Sequence, residues 1–183
     1  MTAALLLMDF QAGVVDRLGS ADVVEAAGTA LEAARRHGVP VVFVRVAFRP
    51  GLPEVSRRNK SFSALADRGG MGQDDPSTQV VEALAPQDTE VVVLKRRVSA
   101  FTGSDLEVVL RGLEVDHLVL SGIATSGVVL STLREAADRD FRLTVLADAC
   151  ADADEEVHSV LTGKVFPRQA DVTTVAAWVD TLA

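Results

Sequence analysis

Three stretches that can do chemistry each follow a short apolar run. Asp9 follows the run at 3–8, Lys95 follows the run at 91–94, and a glycine-bearing turn at 122–127 follows the run at 117–120. A carboxylate at the end of a buried strand is poorly solvated, which raises its pKa, whereas a nearby cation lowers it. An Asp9–Lys95 pair can therefore act as a general acid or base with its electrostatic partner. A structural ion pair is the alternative interpretation.

The turn at 122–127 leads from an apolar run into a segment with helical spacing. Backbone N–H groups at such a helix start lack partners within the helix, and the helix dipole favours negative charge there. The turn could therefore bind a carboxylate or stabilise an oxyanion. An ordinary strand-to-helix turn built from small residues is the alternative.

The remaining reactive side chains give weaker signals. Cys150 has no basic neighbour in the sequence, so we expect a small buried hydrophobe rather than an activated thiol. His37, His117 and His158 match no metal-ligand spacing. The basic cluster at 57–60 could bind an anionic substrate, although a solvated loop is the default expectation.

The residues that could do chemistry must be positioned by strands and helices. Short continuous apolar runs, typical of buried strands, alternate along the chain with segments whose apolar residues have helical spacing. Strands are predicted at 3–8, 41–46, 91–94, 117–120 and 143–146, with a weaker sixth at 171–174, and helices at 22–36, 104–113, 126–139, 155–161 and 175–182. This alternation predicts an α/β fold in which helices cover a parallel sheet on both faces. Ligands bind beyond the carboxyl ends of parallel strands, so Asp9, Lys95 and the turn should meet at one edge.

The segment at 48–75 interrupts this alternation. It holds four glycines and scattered charges, and it predicts a long irregular excursion. Excursions of this length are usually functional lids or binding loops.

Length and composition limit the class of protein. The 183 residues, 48% of them hydrophobic and 24% charged, predict a single globular domain over 1–183 rather than a disordered chain. One cysteine excludes an intrachain disulfide. A net charge of −8 argues against nucleic acid as a partner. No apolar run approaches the ~20 residues of a membrane span, and no secretory signal is recognised, so no membrane partner and a cytoplasmic location are expected.

Several sequence blocks together make the chain similar to the isochorismatase-like hydrolases, a family of isochorismatases, nicotinamidases and related amidohydrolases. The blocks lie at 6–11 (Leu-Leu-Met-Asp-Phe-Gln), 94–106, 120–125, 131–136 and 146–149. The resemblance implies a three-layer α/β/α sandwich with a mainly parallel six-stranded sheet. It further implies a cis peptide at Ile123–Ala124 and a homodimer or homotetramer, with the 48–75 excursion the main candidate for closing the pocket.

The resemblance also assigns roles to individual residues. In the family's amidohydrolases an aspartate after the first strand is the general base and a lysine after the third strand supports it, which matches Asp9 and Lys95. The nucleophilic cysteine of the pattern Gly-x-x-Thr-x-x-Cys falls on Val128 here, or on Gly127 after a one-residue shift. Neither side chain is nucleophilic. No histidine occurs at 43–49, where nicotinamidases bind metal, so no metal, no cofactor and no nicotinamidase activity are expected.

True isochorismatases also lack the cysteine and cleave a vinyl ether. The favoured hypothesis is therefore a hydrolase that acts on a small anionic molecule through Asp9 and Lys95, without a cysteine nucleophile. A degenerate member that binds without turnover, and an amidohydrolase with a replacement nucleophile, are the alternatives. Arg49 or Arg97 could hold a substrate carboxylate. Further substrate contacts are expected at Gln11, Phe101, Ile123, Ala124, Thr125, Gly127 and Val128.

Overall fold

Six strands form one parallel sheet in the computed structural model, which describes residues 2–182. The strands are β1 (Ala3–Met8), β2 (Val41–Val46), β3 (Val91–Lys95), β4 (His117–Ile123), β5 (Arg142–Ala151) and β6 (Asp171–Thr173). Their order across the sheet is β3-β2-β1-β4-β5-β6, and all neighbouring pairs are parallel. The predicted six-stranded parallel sheet is confirmed. Its carboxyl edge therefore gathers the ends of β1, β3 and β4, as the site prediction required.

The helices lie on both sides of this sheet. They are α1 (Ala12–Leu18), α2 (Ala21–His37), α3 (Lys60–Arg68), α4 (Leu106–Gly112), α5 (Leu130–Ala137), α6 (Glu155–Val160) and α7 (Val175–Asp180). Short helical turns occur at Pro76–Thr78, Glu82–Leu84, Thr125–Val129, Leu161–Val165 and Phe166–Arg168. No helix within residues 2–182 is both long enough and apolar enough to cross a membrane.

The core is divided into two apolar layers by the sheet. Successive side chains of a strand point to opposite faces, so Leu6 joins one layer with Leu133 of α5, while Leu7 joins the other with Leu31 of α2. All four side chains are 0–2% exposed. Burying a leucine stabilises a fold by about 1.5–3 kcal/mol, so both layers contribute strongly to holding the helices on the sheet. The three-layer α/β/α prediction is confirmed.

The 48–75 excursion contains more regular structure than predicted. Helix α3 occupies nine of its residues, and the Asn59 side chain caps the helix by accepting a hydrogen bond from the Phe62 backbone N–H at 3.1 Å. Phe62 packs edge-on against Phe48 in a third apolar cluster, with ring centroids 5.6 Å apart. The prediction of an irregular loop was wrong here because this small cluster gives a short amphipathic helix a surface to pack on.

Two further helix predictions need correction. Helix α1 was not predicted, since its β-branched and glycine residues have low helix propensity, but Gly19 ends it in the left-handed conformation at φ 62°. The predicted helix at 126–139 is divided into a wide π-type turn, Thr125–Val129, followed by α5. That turn is the segment that carries Val128.

Candidate active site

Asp9 and Lys95 reach the site from the ends of two strands that are separated by β2. Asp9 directly follows β1, and its backbone N–H donates a 2.8 Å hydrogen bond to the Val44 carbonyl of β2. Lys95 ends β3 and lies in register with Val46 of β2. Its long side chain spans the end of β2 to reach Asp9. The parallel sheet therefore brings together two residues that are 86 positions apart (95 − 9) in the sequence.

The Lys95 ammonium group is fully used within the protein. Its Nζ lies 2.8 Å from Asp9 Oδ2 and donates hydrogen bonds to the Val98 carbonyl at 2.9 Å and the Arg97 carbonyl at 3.1 Å. An ammonium group has three N–H donors. The side chain is 2% exposed. Lys95 is thus held in one position and serves mainly to place positive charge beside Asp9.

The two carboxylate oxygens of Asp9 have different surroundings. Oδ2 faces Lys95, whereas Oδ1 is buried and has no hydrogen-bond partner among residues 2–182. Burial raises the pKa of Asp9, and the charge and hydrogen bond of Lys95, with the Val46 backbone, oppose that rise only in part. A carboxyl group with a raised pKa can hold a proton and donate it to a substrate. The residue also adopts φ 58°, a left-handed conformation that aspartate tolerates better than most residues.

Asp9 and Lys95 line a cavity of about 480 Å³. The turn after β4 contributes Ala124, Gly127 and Val128 to its wall, and the excursion contributes apolar side chains that include Phe62, Leu65 and Met71. A volume in this range suits a small organic molecule. The excursion therefore helps to enclose the site within a single chain.

The turn after β4 is fixed by contacts with α6 and with the residue that follows β5. The peptide bond Ile123–Ala124 is cis, as the resemblance predicted. The Ser126 backbone N–H donates to Asp152 Oδ2 at 2.7 Å, and Thr125 Oγ1 is hydrogen-bonded to His158 Nδ1 at 2.8 Å. Asp152 and His158 thus hold the segment that places Val128 on the cavity wall.

Four of the seven residues expected to contact substrate line the cavity: Gln11, Ala124, Gly127 and Val128. The Gln11 side chain is also used structurally. Its Nε2 donates to the carbonyls of Val46 at 2.9 Å and Thr78 at 2.8 Å, and its Oε1 accepts from the Val46 N–H at 2.8 Å. Gln11 therefore ties the ends of β1 and β2 to the end of the excursion.

Phe101, Ile123 and Thr125 do not line the cavity. Phe101 packs in the core with its ring centroid 6.0 Å from that of Phe141. Ile123 belongs to the opposite core layer, and Thr125 is fully buried against His158. Burial of their side chains leaves these three residues supporting the site from behind its wall.

The two arginines expected at the substrate carboxylate lie elsewhere. Arg49 pairs with Glu54 at 2.5 Å, and the Arg97 guanidinium donates to the Arg96 carbonyl and lies 5.9 Å from the Phe62 ring centroid. Neither lines the cavity. That expectation was wrong because Arg49 is held by Glu54 and Arg97 by the Arg96 carbonyl and the Phe62 ring, so neither guanidinium reaches into the cavity.

Sequence reasoning missed two cavity arginines, Arg17 and Arg68. They belong to α1 and α3, the two helices that were not predicted. Gly19, one residue beyond α1, was an available signal, since glycine is frequent directly after a helix end. The Thr125–His158 contact joins residues 33 positions apart and has no local sequence signal.

Cys150 lies on β5, paired in register with Gly122 of β4. It is 3% exposed, and burial raises the pKa of its thiol to about 12. A thiol nucleophile must be deprotonated and accessible. Cys150 therefore behaves as the predicted buried hydrophobe. Among residues 2–182 there is also no cluster of three or more His, Cys, Asp or Glu side chains arranged to hold a metal ion.

The fold and the site define a class of protein: a three-layer α/β/α domain with an acid–lysine pair at the carboxyl edge of a parallel sheet. The chain belongs to the isochorismatase family, because the model of the isochorismatase domain matches residues 3–177.

Individual relatives agree with this assignment. The isochorismatase family protein YecD of Escherichia coli O157:H7 is 33% identical over 180 residues, which cover 95% of this chain and 93% of YecD. Maleamate amidohydrolase of Pseudomonas putida is 29% identical over 177 residues, or 93% of this chain and 82% of that enzyme. A crystal structure of a cysteine hydrolase from Pseudomonas syringae pv. phaseolicola 1448A has a TM-score of 0.90 at 26% identity, covering 98% of this chain and 92% of that one.

Proposed function

We propose that this chain hydrolyses a small, anionic molecule by acid–base chemistry at Asp9, without a covalent intermediate on cysteine. The observation that carries the proposal is the state of the Asp9 carboxyl group. Asp9 lines the cavity, its Oδ1 is buried without a partner, and Lys95 holds Oδ2 at 2.8 Å. The Asp9 carboxyl group is therefore the proposed site of proton transfer to a substrate.

The side chains near the turn support a mechanism without a nucleophile. Val128, which the family pattern aligns with the nucleophilic cysteine, presents an alkyl group to the cavity. Cys150 is buried in the core, and the Thr125 hydroxyl faces His158 rather than the cavity. Relatives such as the maleamate amidohydrolase act on amides. An amide is difficult to cleave without a covalent intermediate, whereas a vinyl ether needs only an acid and a water molecule, so vinyl-ether cleavage is favoured.

The proposed reaction is balanced by one water molecule. The Asp9 carboxyl group donates its proton to the terminal carbon of the vinyl ether, and an oxocarbenium ion forms. Water adds to that ion and returns a proton to Asp9, and the resulting hemiketal separates into an alcohol and a ketone. The positive charge on Lys95 stabilises the Asp9 carboxylate while it lacks the proton.

The test is turnover of isochorismate, a vinyl ether with two carboxylates, measured as pyruvate release. Wild-type protein should release pyruvate, and Asp9→Asn should reduce kcat at least about 100-fold, as expected for loss of a general acid. Asp16→Asn, the same change on an exposed residue of α1, is the matched control and should keep wild-type activity. The kcat/KM of the wild type should fall as the pH rises through the raised pKa of Asp9.

Two outcomes would contradict the proposal. Pyruvate release that persists in Asp9→Asn would remove the acid role of Asp9. No release by the wild type, combined with saturable binding of isochorismate, would favour a family member that binds without turnover. Binding without turnover is kept as the second candidate function because Val128 supplies no nucleophile to the cavity.

A further inference from the structure

The cavity wall carries an excess of positive charge in an acidic protein. Three cationic side chains line the cavity, namely Arg17, Arg68 and Lys95, and Asp9 is the one acidic residue among the described residues of the wall. Lys95 and Asp9 neutralise each other at 2.8 Å. Two positive charges therefore remain, although the whole chain has a net charge of −8.

Both arginines have unused hydrogen-bond donors. Arg17 donates one bond, from Nη2 to the Gly13 carbonyl at 3.2 Å, and within residues 2–182 neither Arg17 nor Arg68 forms an ion pair. By contrast Arg49, Arg57 and Arg139 are each paired with a carboxylate. A guanidinium group has five N–H donors and binds carboxylates through two parallel hydrogen bonds.

The charges differ in depth. Arg17 and Arg68 are exposed, whereas Asp9 and Lys95 are buried. Arg17 comes from α1 and Arg68 from the end of α3, so two separate elements supply the exposed charges. The rest of the wall is largely apolar, with side chains such as Leu18, Leu65 and Val128.

We infer that Arg17 and Arg68 form a carboxylate-binding rim that selects substrates and orients them. A carboxylate at the rim would direct the apolar body of the molecule inward and bring the reacting bond to Asp9. This inference rests on the proposed function for the identity of the reacting end. The substrate class is thus a small carboxylic acid whose scissile group lies at the end remote from a carboxylate.

Binding of benzoate, compared with its neutral analogue benzamide, tests the rim without requiring turnover. Both molecules have the same apolar body, and inorganic phosphate tests whether any anion suffices. Dissociation constants are measured by NMR titration of ¹⁵N-labelled protein, including the arginine Nε–H signals. We expect benzoate to bind more tightly than benzamide and to shift the signals of Arg17 and Arg68.

Arginine substitutions locate the effect. Arg17→Gln and Arg68→Gln should each weaken benzoate binding about fivefold, and the double variant about 20-fold, which are magnitudes typical of exposed ion pairs. Benzamide binding should not change. Arg111→Gln removes the same charge from an exposed position on α4 and is the matched control. It separates local contacts from the general effect of net charge.

The possible results are distinct. Equal weakening by Arg68→Gln and Arg111→Gln, or tighter binding of benzamide than of benzoate, would overturn the rim. So would an absence of benzoate binding at 20 mM, or binding of phosphate alone. Asp9→Asn should retain benzoate binding. If Arg17→Gln and Arg68→Gln weaken benzoate binding but no variant, including Asp9→Asn, changes isochorismate turnover, the rim is supported and the proposed hydrolysis by Asp9 is rejected. If Asp9→Asn abolishes turnover but the arginine variants bind benzoate as tightly as the wild type does, only the rim is rejected.

Discussion

Gly122 approaches Met8 so closely that a Cβ atom on Gly122 would lie 2.6 Å from the Met8 carbonyl oxygen. The two residues are in register on the neighbouring strands β4 and β1. Met8 directly precedes Asp9, and Gly122 lies three residues before the Thr125–Val129 turn that carries Val128. Because residue 122 has no side chain, β1 and β4 can approach closely at this point. This close approach brings Asp9 near the turn that follows β4.

Gly122→Ala should accordingly destabilise the protein. The added Cβ meets backbone rather than a flexible side chain, so the strands must separate, and a free-energy loss of about 1–3 kcal/mol is expected. Urea denaturation measures it. Gly112→Ala is the control because a Cβ there meets nothing within 4 Å, and it should leave the stability unchanged or raise it by about 1 kcal/mol. Equal stabilities of the two variants would contradict the steric argument.

The pH dependence of stability should reveal the proton on Asp9. The pKa of Asp9 in the folded protein is raised above its usual 3.8, so the folded state keeps the proton where the unfolded chain has lost it. Its contribution to the free energy of unfolding is full below pH 3.8 and is lost as the pH rises through the raised pKa. The stability of the wild type relative to Asp9→Asn should therefore decrease from acidic to neutral pH in urea denaturation series. An increase over this range would mean that Lys95 lowers the pKa overall.

A thiol placed at position 128 should border the cavity, unlike the natural one, although Val128 is 2% exposed and Cys150 3%. Val128→Cys puts a cysteine on the cavity wall, and iodoacetamide should label the folded variant at one site, detected by intact-protein mass spectrometry. The wild type is the control, because Cys150 does not line the cavity and burial raises its thiol pKa to about 12, so it should be labelled only after unfolding. Labelling of folded wild type at the same rate would contradict the burial of Cys150.

Arg45 should hold the end of the excursion against the sheet. Its Nη1 donates to the carbonyls of Gln73 at 3.1 Å and Thr78 at 3.2 Å. Arg45→Met leaves both carbonyls without this partner and should cost about 1–3 kcal/mol of stability, with faster hydrogen exchange confined to residues 72–79. Arg36→Met, on the exposed last turn of α2, should exchange like the wild type. A uniform increase throughout the chain would show a global effect instead of a local anchor.

The sheet could be predicted because its signal is local. Buried parallel strands are continuous apolar runs, and β1 through β5 each contain one, so the sheet edge that joins Asp9 to Lys95 followed from general topology. The cis peptide at Ile123–Ala124 followed from the family resemblance and was confirmed. The composition of an apolar run therefore carries enough information to place the residue that follows it.

The cavity wall was predicted less well, since it depends on contacts between distant segments. Helix α3 packs through Phe62 against Phe48, and no periodicity within the segment shows that Phe48 will be there. Missing that helix left the cavity residue Arg68 out of the candidate carboxylate ligands, which were Arg49 and Arg97. The Thr125–His158 contact was missed for the same reason.

The left-handed backbone of Asp9 also limits which substitutions can report on chemistry. At φ 58° most side chains add strain, whereas asparagine and glycine do not. In a saturation library at position 9, selection for folding would retain chiefly aspartate, asparagine and glycine, while selection for turnover would retain aspartate. Two independent constraints, backbone shape and acidity, therefore converge on a single amino acid, and a survey of variants at this position would distinguish them.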